Sequence, residues 1–212
     1  MCYSKKASEI SFLVNVLASY YLYNLASVQA KILALFFAFV GLMQLLDLIF
    51  WSNQDMTNPK QESINKTFTK IAMVVNHLQP IVFALLIYVF TGKIGTLSKP
   101  ILFLYTAVAF YYSANIYEKL SHTLPLQPGQ PLYWQWNYQS HSFPFYMLFL
   151  LSFSVLSYEH FEHPLNWTLV FINLTSFMLS FVKFKDHYIG RFWCKIAAWI
   201  PMLLILFIKM LI

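Results

Sequence analysis

Apolar runs of roughly 16 to 22 residues recur seven times along this 212-residue chain, and that recurrence decides the fold class. Hydrocarbon offers backbone amides no partner, so each run long enough to cross a bilayer must satisfy its own hydrogen bonds as a helix. The expected spans are 10–27, 32–51, 70–91, 100–117, 143–158, 165–184 and 192–212. The reading is all-α: a polytopic transmembrane helical bundle forming a single domain, 1–212. The longest connection, about 25 residues, is too short for an independent soluble core.

Only 10% of the residues are charged and 59% are hydrophobic, against about 25% charged in a soluble domain. The formal charge of +6 does not point to nucleic acid, because the 13 lysines and one arginine sit at span ends, where topology signals sit. With seven spans, the face holding the N-terminus and the 2–3, 4–5 and 6–7 connections collects ten of these 14 cations. The other face has Lys31, Lys93, Lys99 and Lys209. The N-terminus is therefore expected in the cytoplasm and the C-terminus on the opposite side. The first span reads as retained, since no small-residue cleavage pattern ends it. Cys2 and Cys194 fall on the same, cytoplasmic side and are expected as free thiols. Of three Asn-x-Ser/Thr sequons, Asn65 faces the cytoplasm, Asn173 lies within a span, and Asn166 sits at the membrane edge. None is expected to carry a glycan.

Polar side chains recur on single helix faces. Gln44, Asp47 and Trp51 follow i, i+3, i+7 spacing near the cytoplasmic end of the second span. Asp47 is the one carboxylate within an expected span, at a cost of roughly 3 kcal/mol at a helix centre and less near the interface, where it could reach water or Lys70. The third span presents Asn76, His77 and Gln79, with His77 expected at a depth comparable to Asp47. Pro80 follows, tolerated where neighbours satisfy the freed carbonyl. Ser11, Asn15 and Ser19 share a side of the first span. Tyr105, Tyr112 and Asn115 share one of the fourth, and Asn166, Asn173, Ser176 and Ser180 one of the sixth. Cys194, Ala197, Ala198 and Pro201 make a small-residue face suited to close packing.

Two readings of these stripes stay open. In one, Gln44, Asp47, Asn76, His77, Gln79 and Asn115 line a hydrated, cytoplasm-facing cavity for an ion or small molecule, with Asp47 and His77 exchanging a proton or binding a cation. In the other, the same groups hydrogen-bond across helices and hold the bundle together, at about 0.6 kcal/mol each. Trp134 and Trp136, in the aromatic run 133–138, are expected as an interfacial belt in the headgroups or as a lid over the cavity mouth.

Other chemistries find no pattern. His160 and His163, beside Glu159 and Glu162, have metal-ligand spacing but fall in a short connection, where solvated loop residues are expected. His122, His141 and His187 are loop residues too. The paired late histidines of seven-span hydrolases are missing from 192–212. A retinal site needs a mid-span lysine, and Lys195 and Lys209 sit near the ends of the last span. No nucleophile triad, phosphate loop or selectivity filter is present, and no cofactor or metal is expected.

Gln44-x-x-Asp47-x-x-x-Trp51-x-Asn53, the pair Gln79-Pro80, and Gly190-x-x-Trp193-Cys194 with Pro201 resemble an uncharacterised family of multi-span membrane proteins from large DNA viruses and protists. That family's pattern carries Glu where this chain has Asp47. The resemblance implies an integral membrane protein and adds no activity. The expected partners are the lipid bilayer and an ion or small-molecule ligand, with room for a homo-oligomer. The leading expectation is a transporter, channel or receptor-like protein. A structural or assembly protein of a viral or organelle membrane is the alternative, and a lipid-modifying enzyme using Asp47 and His77 the third.

Overall fold

A computed structural model describes residues 4–139, 141–184 and 196–211. It is all-helical apart from one short segment. The helices are α1 (Lys5–Tyr23), α2 (Val28–Ser52), α3 (Pro59–Thr91), α4 (Ser98–Tyr117), α5 (Ser142–His160), α6 (Leu165–Phe184) and α7 (Ile200–Leu211). Between α4 and α5 a pair of two-residue strands, β1 (Leu124–Pro125) and β2 (Leu132–Tyr133), leads into a 3₁₀ turn. Cys2, His187, Gly190, Arg191, Trp193, Cys194 and Lys195 lie outside the described residues, so the last expected span is seen only from Ile196.

Helix α3 departs most from its expected bounds, starting at Pro59 and not at 70. Asn58 caps it, accepting from the Lys60 and Gln61 amides, and proline takes a first-turn position where its missing N–H costs nothing. The Asn58-Pro59 pair is thus a helix start as well as a turn. At 33 residues α3 is about 50 Å long, well beyond the ~30 Å of a hydrocarbon core. Gly92 ends it at φ 71°, a left-handed conformation glycine adopts without steric cost.

Three helices, α2, α3 and α5, are long and apolar enough to cross a membrane. The outward faces of the others are apolar as well. Leu17 on α1, Phe103 and Phe110 on α4, and Phe171 on α6 are all more than two-thirds exposed. The interior is the reverse: Asn15, Gln44, Asp47, Asn76, His77, Gln79 and Asn173 are all buried.

From α1 to α6 each helix packs against the next, α7 returns to α1 and α2, and α3 also meets α5. Phe36 on α2, Phe83 on α3 and Phe153 on α5 form the central aromatic cluster, their rings tilted on one another with centroids 4.5 to 5.6 Å apart. Phe149 extends it to Phe177 on α6. On α1, Asn15 presses against Gly41 of α2 and donates to the Ala198 carbonyl at 3.3 Å. A β-carbon at Gly41 would lie 2.2 Å from the Asn15 Oδ1. Since Asn15 is buried and tied to Ala198, it has little room to yield. We expect Gly41→Ala to cost about 1–3 kcal/mol, read as earlier thermal unfolding in detergent. Asn15→Ala in the same chain should recover part of that loss; an unaltered melting temperature in the single variant would count against this packing.

Candidate functional site

Helix α2 is the most apolar of the long helices, yet near its C-terminal end it carries Gln44 and Asp47 one turn apart on a buried face. Asp47 has no exposed surface and Gln44 is 1% exposed. The adjoining buried positions, Val40, Met43, Leu46 and Phe50, are apolar. On α3, Gln79 is also fully buried.

Two contacts fix how α2 and α3 align. The Asn65 side chain donates to the Asn53 carbonyl at 2.8 Å, and Phe36 packs on Phe83. On that register Asp47 lies level with Ala72, and His77 is about 8 Å further along the axis. The expected common depth of Asp47 and His77 is therefore not found, because α3 begins well before its apolar stretch. His77 has its own partner: its Nδ1 and the Ser113 hydroxyl of α4 are 2.8 Å apart. The ring packs edge-on against Phe145 and near Tyr112. Lys70, expected within reach of Asp47, has partners of its own. It bonds Glu118 at 3.2 Å and lies over the Tyr117 ring.

Asn76 is likewise engaged. It donates to the Tyr146 hydroxyl of α5 at 3.0 Å, and that hydroxyl donates to the Asn137 side-chain oxygen. Beside Pro80, Tyr105 of α4 donates to the His77 carbonyl at 2.6 Å. Asn115 stands apart from the other candidates. It is exposed on α4 and donates to Tyr111 of its own helix.

The 118–139 segment folds back over the end of the bundle nearest Asp47. Trp134 and Trp136 are buried and stacked with centroids 5.2 Å apart. The physical reason is hydrogen bonding: the Trp136 carbonyl accepts from Tyr112 at 2.7 Å, and Asn137 is tied to Tyr146. Gln135 and Ser121 close the neck of the segment. Asn65 is the hub. Its side chain donates to the carbonyls of Asn53 and Thr123 and accepts the Thr123 amide, while Thr69 and Thr123 hydroxyls meet at 2.9 Å. Asn65 and Tyr146 are the residues that sequence reading passed over. The signal for Asn65 was its i, i+4 spacing with Thr69 on one helix face.

The opposite end is closed by a carboxylate. Glu159, at the end of α5, accepts from the Leu97 and Ser98 amides and the Ser98 hydroxyl at 2.6 to 2.9 Å. It thereby caps α4, whose own N-cap, Leu97, makes no side-chain cap. His160 accepts from the Gly95 amide at 2.9 Å. Glu159 and His160 are thus structural partners of the 3–4 connection, not solvated loop residues. Among the described residues no cluster of three or more His, Cys, Asp or Glu could hold a metal ion.

Tyr146→Phe should strand the buried amide of Asn76 and the oxygen of Asn137. The expected cost is about 1–3 kcal/mol, measured as thermal stability, together with faster proteolysis of the 118–139 segment. Equal protease resistance in the variant would remove Tyr146 as its anchor. Compared with protein-family models, with curated proteins and with solved structures, the chain matches none.

Proposed function

We propose that this chain is a seven-span integral membrane protein, its N-terminus cytoplasmic, whose interior binds a cation or small polar solute at Asp47 and passes it across the bilayer. The observation that carries this reading is a carboxylate with no exposed surface, one turn from a buried glutamine, on the most apolar of the long helices. Such groups are costly inside a membrane and mostly mark solute or ion pathways. Carboxylate and amide oxygens suit a hard cation or a proton. The 118–139 segment, folded over the end nearest Asp47, is the gate in this reading. The excess of lysine on that side supports the orientation.

Cross-helix bonds at Asn76, His77 and Asn173 favour a second reading, an assembly protein whose polar groups only hold helices together. Flux separates the two. In proteoliposomes under an imposed potential and then a pH gradient, wild-type protein should conduct and Asp47→Asn should lose at least most of the flux with normal insertion. His77→Ala should lower stability more than flux. Equal flux in wild type and Asp47→Asn would sink the proposal, and co-purification of a stoichiometric membrane partner would then favour assembly.

A further inference from the structure

A groove of about 540 Å³ runs along the outer side of α4 against the start of α5. Its chemistry changes along its length. Leu104, Val108 and Leu148 line one end, and Asn115, Lys119, Gln139 and His141 the other. From Leu104 to Tyr117, the end of α4, the helix rises about 20 Å, and Lys119 follows two residues on. One leaflet's lipid covers about 15 Å of hydrocarbon and a further 5 to 7 Å of headgroup. The apolar end is continuous with the exposed face of Leu104 and Tyr111.

The polar end is short of negative charge. Glu118 beside it is taken up by Lys70, and Lys119 has no carboxylate partner among the described residues. His141 stands there at φ 67°, in the left-handed region, at the N-cap of α5. Its ring lines the groove with Lys119 and can hydrogen-bond a headgroup phosphate there.

We infer that this groove binds one anionic phospholipid of the leaflet on the 4–5 side, its headgroup at Lys119 and His141 and an acyl chain along Val108 and Leu104. The inference rests on the membrane reading but not on transport. Its occupant is set by charge: a zwitterionic lipid has the same tails and leaves Lys119 uncompensated.

The test is native mass spectrometry of the full chain in detergent, titrated with phosphatidylglycerol or phosphatidylcholine. Wild-type protein should retain one phosphatidylglycerol in preference to phosphatidylcholine by about fivefold, the effect of one lysine beside an anionic headgroup. Lys119→Gln should abolish the preference. Lys60→Gln, an equal charge loss on the same side outside the groove, should keep it. Val108→Trp should lower retention of both lipids. Equal retention of the two lipids by wild type would overturn the proposal. So would a preference that survives Lys119→Gln, or a lipid-free dimer. Asp47→Asn should retain lipid as wild type does, so a failure of flux and a failure of lipid binding are read separately.

Discussion

A polar side chain enclosed by apolar helices has no water to fall back on, and a bond left unmade costs about 1–3 kcal/mol. That constraint governs the interior of this bundle. Asn76 reaches Tyr146, His77 reaches Ser113, Asn173 reaches Ser154 and Asn15 reaches a carbonyl near α7. The first three join different helices and the fourth ties α1 to the turn before α7, so each also fixes depth and rotation. Apolar packing alone tolerates sliding by a fraction of a turn. A hydrogen bond of 3 Å does not.

The two ends of the bundle are sealed by different chemistry. At one, neutral amides and hydroxyls of Asn65, Thr69, Thr123 and Gln135 hold the long connection in place. At the other, the Glu159 carboxylate gathers the free amides at the start of α4, where the helix dipole also favours negative charge. The first arrangement is indifferent to salt and the second is not. Between them lies the aromatic cluster of Phe36, Phe83 and Phe153, which carries no polar group at all.

Much of the helical plan was legible from apolar run length, because burial of backbone bonds leaves no other choice. Helices α2, α5 and α6 begin within a few residues of their expected positions. The start of α3 was not legible from hydropathy, since its first turns are polar and project beyond the apolar stretch. That misplacement carried His77 to the wrong depth beside Asp47. Burial of Gln44, Asp47, Asn76 and Gln79 followed from shared helix faces. The roles of Asn76 and His77 did not, because their partners Tyr146 and Ser113 are 70 and 36 residues away in sequence. Trp134 and Trp136 read as a belt or a lid by composition, and only the bonds to Tyr112 and Tyr146 show how their segment is drawn inward. Asn115 shows the limit of face arguments: it shares a stripe with Tyr112 yet points its exposure outward.

Pro80 sits partway along a 33-residue helix whose far end carries Asn65. Proline weakens the helix at one point and leaves the rest stiff. Asn65 is about 22 Å from that point along the axis. A bend of about 10° there therefore sweeps Asn65 through about 4 Å. That stroke exceeds the reach of any hydrogen bond at the hub. A bend at Pro80 therefore cannot occur without parting the bonds that Asn65 makes at the hub.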